Sequence, residues 1–415
     1  MDRLDQYFLE ALKAALCNQK VEWEGNLSPQ EWNRLFQLAQ IHSVLPLVYE
    51  AVYTCPASQR LEPAVLQLFK KQAIQTAVLQ TLKTRDFLQL NQALQAAGLT
   101  PLVVKGLICR DLYPRPDLRP SSDEDVLIPA GQFAACHAVM TAQGMQPLKP
   151  DQDMEHAYEV SYGKPNSPLH IELHKCLFPP ESEAYGEFNR FFNGVFDRAV
   201  TEAIQGVSVR TMGYTDHLFY LICHAFKHFL HSGFGIRQVC DIVLFANAHG
   251  GEIAWSVILE QCREIHAELF TAALFQIGRN YLNFDPDRAC YPEAWRRMQV
   301  DETAMLEDLL SGGIYGAADM SRKHSSNITL NAVTAGKKGK KSGIPVLRTV
   351  FPSAKNLERR YPYLKKRPYL LPAAWIDRIF KYGKELRSGS NNHAADAIQI
   401  GSRRIELMKQ YGIIR

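Results

Sequence analysis

The chain lacks the cysteine patterns that hold small proteins or metals together. Its nine cysteines are odd in number, lie far apart, and never form a CxxC pair. This distribution argues against both a disulfide framework and a thiolate zinc site. A reducing cytoplasm is the simplest compartment for such a chain.

Long apolar runs and a strong net charge are also missing. No run approaches the roughly 20 apolar residues that a membrane-spanning helix needs. The first stretch, MDRLDQYFLEALKAALCNQK, carries acids and amphipathic spacing rather than the basic start and apolar centre of a secretory signal. The formal net charge is only +4, so no global basic field points to nucleic acid. We expect a cytoplasmic protein with neither a membrane nor a nucleic acid as its partner.

The composition is that of a soluble globular protein, with 46% hydrophobic and 22% charged residues. A length of 415 residues allows two or three domains. Changes in pattern predict a helical region over 1–82, an α/β core over 83–200, a helical domain over 201–300 and a C-terminal extension over 301–415. The extension contains AGKKGKKSG, whose lysines predict a mobile, protease-sensitive loop rather than a nucleic-acid site.

Helix signals dominate the first hundred residues. Ser28 can cap a helix, Pro29 suits its first position, and Glu31 completes a capping box. A longer apolar pattern follows and ends at Gly98, a residue typical of helix ends.

The texture then changes to short β-branched runs. TPLVVKG and EDVLIP each predict a buried strand, and HAYEVSYG and PLHIELHK predict two more strands joined by the turn KPNS. AGQFAACHAVMTAQG predicts a helix among them, and the pattern is helical again from Thr215. The expected fold class is α+β, with a small mixed sheet embedded in a mainly helical chain.

Acidic residues stand at the start of the second strand, in SDEDVLI. Residues two apart in a strand share a side, so Asp123 and Asp125 project together with Cα atoms about 6.6 Å apart, and Glu124 points away. We therefore expect Glu124→Gln to have little effect. Two carboxylates so placed repel each other unless a cation lies between them. Glu172, inside LHIELH, is the candidate third acid if its strand lies beside that of Asp125.

These stretches together resemble the bacterial uncharacterised nucleotidyltransferase family, which is part of the polymerase-β-type nucleotidyltransferase superfamily. The matching segments are VVKG, LY, LRPSSDEDVLI and HIELH, then HAFKHFLHSGFGIRQVCDI and the C-terminal VFPSAKNLERRYPYLKKRPYLLPAAWIDR. The resemblance covers roughly three-quarters of the chain and extends well past the short D-x-D motif.

The resemblance implies specific roles. Asp123, Asp125 and Glu172 would bind Mg²⁺ or Mn²⁺ and act in catalysis, and Lys105 and Gly106 would face the triphosphate. One departure is the turn, which is Gly106-Leu107 where the superfamily has glycine followed by serine or glycine. The reaction implied is transfer of a nucleotidyl group, expected to be AMP from ATP, to a hydroxyl acceptor.

Several residues have competing interpretations. Arg119 suits phosphate contact, as does Lys105, but Lys105 could equally pair with one of the acids and Arg119 could hold its loop by a salt bridge. The acids themselves could be a solvated turn. A nucleotide-binding regulatory protein without turnover, or a toxin–antitoxin or defence component that modifies RNA or protein, remain alternative functions.

A helical segment supplies candidates for the acceptor cleft. His224, His228 and His231 recur at i, i+4 and i+7, on one helical face, and a zinc site or a polar seam between helices are both open. We expect at least one residue of a small group to face the aspartates; the group comprises His224, His228, Arg237 and Asp241. His174 shares a face with Glu172 and is expected to orient it.

Overall fold

The computed structural model describes residues 1–25, 27–313, 320–337, 357, 361–365, 367–377 and 393–414. Its helices are α1 Arg3–Leu16, α2 Pro29–Ile41, α3 Leu45–Val52, α4 Pro63–Ala96, α5 Leu107–Asp111, α6 Phe133–Ala142, α7 Tyr214–His231, α8 Ile236–His249, α9 Trp255–Glu264, α10 Glu268–Tyr281, α11 Glu293–Arg296, α12 Thr303–Gly312, α13 Met320–Lys337 and α14 His393–Gln410. Its strands are β1 Leu102–Val103, β2 Glu124–Leu127, β3 Gln146–Pro147, β4 Glu159–Gly163, β5 His170–His174, β6 Val200–Ile204 and β7 Val207–Thr211.

The N-terminal helices pack on one another and on the rest of the chain. The capping box predicted for α2 is confirmed, since the Glu31 N–H donates to Ser28 Oγ and the Ser28 N–H donates to the Glu31 carboxylate. After α2, the buried His42 ring joins this region to distant helices. Its Nε2 lies 3.2 Å from the carbonyl oxygen of Leu310, and its Nδ1 accepts from the Ile236 N–H at 3.3 Å.

Helix α4 is 34 residues long and connects the N-terminal helices to the sheet. Near its start, the Phe69 ring stacks on Phe36 of α2 with centroids 3.7 Å apart. Near its middle it buries polar side chains, among them Gln80 and Lys83. The Lys83 ammonium donates to the carbonyl oxygens of Ser121 and Ser122 at 2.6 and 2.8 Å. This helix therefore holds the loop that leads into β2.

The seven strands form one mixed sheet in the order β3-β4-β5-β2-β1-β7-β6. Strand β2 pairs in parallel with β5 and antiparallel with β1, and β1 pairs in parallel with β7. On one face of the sheet, the buried side chains of Val126, Leu173 and Val160 lie side by side on three neighbouring strands. The prediction of an α+β fold with a small mixed sheet in a mainly helical chain is confirmed.

The strand predictions hold for β1, β2, β4 and β5, and the turn between β4 and β5 lies where KPNS predicts it. The hairpin of β6 and β7 was not foreseen. Its two turn residues, Gln205 and Gly206, both have positive φ, which suits a two-residue hairpin turn. This hairpin spans residues 200–211, and the division of the chain at residue 200 stays a prediction.

Helix α7 is buried along most of its length. It packs on α8 and on α13, and α13 packs on α14. Gly98 has the positive φ expected after the end of α4. The basic segment AGKKGKKSG begins at the end of α13, and its residues 338–343 lie outside the described residues. Among the helices that the structure describes, none combines the length and the apolar character needed to cross a membrane.

Candidate functional site

Two of the predicted acids lie side by side on neighbouring strands. The parallel pairing of β2 and β5 sets Asp125 directly opposite Glu172. Directly paired residues in a sheet project to the same face. Their ligand atoms, with one from His174, all lie within 4.8 Å of one another, so the strand of Glu172 does lie beside that of Asp125. The catalytic role of Glu172 stays a proposal.

Asp123 lies one residue before β2 and is half-buried. Burial raises the pKa of Asp123; the Lys105 ammonium opposes this shift, and the Asp125 and Glu172 carboxylates add to it. The three acids therefore interact electrostatically. That Asp123 and Asp125 project together stays a prediction.

His174 is buried beside the acids. Its Nε2 donates to Asp125 Oδ1 at 3.2 Å and lies 3.7 Å from Glu172 Oε2, while its Nδ1 lies 3.7 Å from Glu159 Oε2. Burial alone lowers the pKa of this ring, but the hydrogen bonds to Asp125 and Glu172 raise it to about 9. The imidazole therefore contacts both acids. Its contact with Glu172 agrees with the prediction that the two side chains share one face of the strand.

Lys105 pairs with one of the acids. Its ammonium Nζ lies 2.7 Å from Asp125 Oδ2 and 3.5 Å from His224 Nε2. Burial acts to raise the pKa of Asp125, but Lys105 and then His174 outweigh it and hold that pKa well below its usual range. Asp125 is therefore ionised and flanked by positive charge from both sides.

The histidines of α7 face this group. His228 Nε2 lies 3.3 Å from His224 Nε2, and the Gln238 side-chain amide lies 3.2 Å from His224 Nδ1. Burial lowers the pKa of His224 well below its usual value, and Lys105 adds to the effect. His224 thus touches the cation that pairs with Asp125, so one member of the predicted group does lie on the side of the aspartates. The His224, His228 and His231 imidazoles do not form a metal-ligand cluster in the part of the chain that the structure describes.

Lys227 is a site residue that sequence analysis missed. It is half-buried on the face of α7 that carries His224 and His228. Burial lowers the pKa of its amine, Lys105 lowers it further, and Glu159, Asp125 and Glu172 act in the opposite sense. Its charged neighbours are therefore Lys105 and these three carboxylates. Its Nζ also lies 6.0 Å from the centre of the Tyr185 ring.

Arg119 does not lie open beside the acids. Its side chain is 2% exposed, and its Nε and Nη2 donate to the two carboxylate oxygens of Asp241 at 3.0 and 2.6 Å. The Tyr113 hydroxyl donates to the same carboxylate at 2.8 Å. Arg237 donates to the carbonyl oxygen of Pro120. In the structure, Arg119 therefore holds its loop through a salt bridge and does not offer its guanidinium to phosphate. Asp241 is the buried partner of Arg119 and does not line the cleft.

The turn at Gly106 is held from behind by Glu124. Gly106 has φ +50°, and a Cβ at this position would collide with the Glu124 carboxylate. Glu124 Oε2 accepts from the Leu107 N–H at 2.6 Å, and its other oxygen pairs with Arg110. Glu124 faces away from Asp123 and Asp125 as predicted, but it is fully buried and hydrogen-bonded.

The residues of the cluster fit a divalent cation. Carboxylate oxygens are the ligands that Mg²⁺ and Mn²⁺ prefer in proteins. The close approach of the Lys105 ammonium to Asp125 shows that positive charge is accommodated at this carboxylate. Asp125 and Glu172 are therefore the residues that could hold a metal, with His174 hydrogen-bonded to Asp125 and Asp123 adjacent.

Comparison with known proteins gives one family. The model of a family described as an uncharacterised nucleotidyltransferase matches residues 28–283, a span that contains the whole sheet and the residues of the cluster. No curated protein and no solved structure matches the chain.

Proposed function

The chain belongs to the uncharacterised nucleotidyltransferase family, and from this premise we propose that it transfers a nucleotidyl group, AMP from ATP, to a hydroxyl acceptor with the help of Mg²⁺ or Mn²⁺. The observation that carries the proposal is the pairing of Asp125 with Glu172 across two parallel strands, with Asp123 next to them. An acid cluster of this kind suits in-line displacement at phosphorus.

Each acid has a part in the proposed reaction. Asp123, Asp125 and Glu172 would hold the divalent cation, which when bound neutralises phosphate charge and lowers the pKa of a coordinated hydroxyl. Glu172 is half-buried and lies at the edge of the cluster, so its carboxylate can also take the proton from the acceptor hydroxyl. The acceptor oxygen forms a bond to the α-phosphorus, the bond to the bridging oxygen breaks, and pyrophosphate leaves.

His174 supports this arrangement from within the protein. Its Nε2 donates to Asp125 and thereby fixes the direction of that carboxylate. A nucleotide-binding protein without turnover would not require the third acid, so the position of Glu172 supports an enzyme over that alternative.

The experiment measures ATP consumption. The purified chain with Mg²⁺ or Mn²⁺ should release pyrophosphate, and label from [α-³²P]ATP should appear on an acceptor supplied from a cell extract. Glu172→Gln should abolish both signals, because it removes the proton acceptor and a ligand while it leaves the buried Asp125 contacts intact. Glu260→Gln, a change at an exposed glutamate of α9, is the matched control and should retain activity. Equal turnover by the two variants would refute the assignment of Glu172.

A further inference from the structure

The cations near the acid cluster differ in whether they are already paired. Arg110 pairs with Glu124, and both side chains are buried. Arg119 pairs with Asp241 through two nitrogens. Lys105 pairs with Asp125. A buried ion pair is broken only at a high cost, because each charge then stays unpaired in the interior. Neither arginine is therefore available to bind a phosphate group.

The backbone turn that follows β1 is also engaged. The Leu107 N–H, the first amide after Gly106, donates to Glu124 Oε2. The Gly106 carbonyl oxygen lies 3.4 Å from Nη1 of the Arg119 guanidinium. An amide that already donates to a buried carboxylate cannot donate to a ligand as well. Gly106 is thus required by its conformation and by the close approach of Glu124, and the turn does not offer the Leu107 amide to a phosphate.

Lys227 is in a different situation. Within the described ranges, its ammonium forms no ion pair and no hydrogen bond, and its nearest described interaction is the Tyr185 ring 6.0 Å away. It projects from the same face of α7 as His224, whose ring reaches Lys105. Its electrostatic neighbours include Asp125 and Glu172. A half-buried ammonium on the helix face that reaches Lys105, and paired within the described ranges with no carboxylate, is placed to receive an anion that binds beside the acids.

We propose that Lys227 of α7 is the phosphate-binding cation of this site, and that it contacts the triphosphate of the nucleotide in place of the amides of the Gly106 turn. This inference rests on the proposed nucleotidyl transfer. A lysine ammonium binds phosphate oxygens as a compact point charge, without the fixed geometry that arginine imposes. The proposal therefore places phosphate binding on the helical half of the molecule, across the cleft from the acids.

The first test is nucleotide binding. Calorimetry with ATP and with inorganic tripolyphosphate, each in the presence of Mg²⁺, is carried out on the full-length chain and on Lys227→Gln. Loss of one charged contact should weaken both ligands about tenfold or more. Lys227→Arg should recover most of the affinity, because it restores the positive charge. Lys71→Gln, a change at an exposed lysine of α4, should bind as the unmodified chain does.

The second test uses only the unmodified chain, so its result does not depend on whether a variant folds. Brief treatment of the unmodified chain with acetic anhydride, followed by peptide mass spectrometry, measures how accessible each lysine is. Tripolyphosphate with Mg²⁺ should reduce acetylation of Lys227 and leave that of Lys71 unchanged. Unaltered acetylation of Lys227 while the ligand is bound would overturn the assignment.

The outcomes separate this inference from the function on which it rests. If the unmodified chain binds ATP and Lys227→Gln binds it equally well, the phosphate role of Lys227 is wrong and nucleotidyl transfer stands. If the unmodified chain binds neither ATP nor tripolyphosphate, both proposals fail. Binding that is lost in Lys227→Gln, kept in Lys227→Arg and kept in Lys71→Gln supports the assignment.

Discussion

The Glu124 carboxylate accepts a hydrogen bond from the Leu107 backbone N–H at 2.6 Å. The two residues belong to different elements, since Glu124 begins β2 and Leu107 begins α5. The acid in the middle of the Asp-Glu-Asp motif thereby ties the turn after β1 to the strand that carries the aspartates. Its second oxygen accepts from Ser121 Oγ at 3.1 Å and pairs with Arg110.

Glu124→Gln should therefore destabilise the protein, contrary to the expectation from the sequence alone. The amide removes the charge that pairs with the buried Arg110 guanidinium, and loss of one partner of a buried pair costs about 3 kcal/mol or more. The free energy of unfolding, measured by urea titration, tests this. Glu260→Gln should change it by less than about 0.5 kcal/mol, as exposed positions usually do. Equal stability of the two variants would contradict the proposed role.

Asp241→Asn should also lower the stability, because it leaves the Arg119 guanidinium buried without a counter-charge. We expect a loss of about 3 kcal/mol in the free energy of unfolding. Tyr113→Phe removes only one hydrogen bond to the same carboxylate and should cost about 1–2 kcal/mol. If the tyrosine variant is the less stable of the two, the ion pair is not the main interaction of this cluster.

His42 should make the fold sensitive to acid. Burial lowers the pKa of this ring to about 4, although its hydrogen bond to the Leu310 carbonyl opposes the shift. In the unfolded chain the imidazole titrates near 6.5, so between pH 6.5 and pH 4 the unfolded state binds the extra proton. Stability is therefore present above pH 6.5 and falls as the pH drops. Between pH 7 and pH 5 the loss from this group is about 2 kcal/mol.

The measurement compares unfolding curves at both pH values for the unmodified chain and for His42→Gln. The variant cannot titrate at this position, so its stability should depend less on pH by about the same amount. His156→Gln, a change at an exposed ring, is the control and should keep the full dependence. A His42→Gln variant with an unchanged pH dependence would show that other groups cause the acid sensitivity.

His174→Gln should weaken metal binding. The ring contacts the carboxylates of both Asp125 and Glu172, and groups that orient metal ligands contribute about 10- to 100-fold to the affinity. Titration with Mn²⁺, followed by electron paramagnetic resonance of the free ion, measures the dissociation constant. His170→Gln changes an exposed histidine on the same strand and should leave it unaltered. Removal of the metal with EDTA should return every sample to the same signal.

Much of the site followed from local patterns. The β-branched run around Asp125 predicted one strand and the run around Glu172 predicted the strand that pairs with it. The capping box of α2 was equally local, since Ser28 and Glu31 are three residues apart. Features that depend on neighbours in the sequence were accessible because the physical cause and the pattern occupy the same few residues.

Other features depend on contacts between distant segments. Arg119 and Asp241 are 122 residues apart, and no local pattern shows that they meet. Lys227 looks like an ordinary polar residue of an amphipathic helix until α7 is packed against the sheet. The hairpin of β6 and β7 did have a signal, because Gln205-Gly206 separates two β-branched runs. Its turn lacks the Asn-Gly or Asp-Gly pair that marks such hairpins most strongly.

Helix α4 carries one contact near its start and another near its middle, and together they fix the number of residues between them. Phe69 is held by Phe36, and Lys83 is held by the loop before Asp123. Deletion of one residue between these positions would rotate one end by about 100° and draw it back by about 1.5 Å relative to the other. Either the aromatic stack or the lysine contacts would then be lost. Insertions and deletions that arise during the evolution of this family should therefore be rejected within residues 69–83.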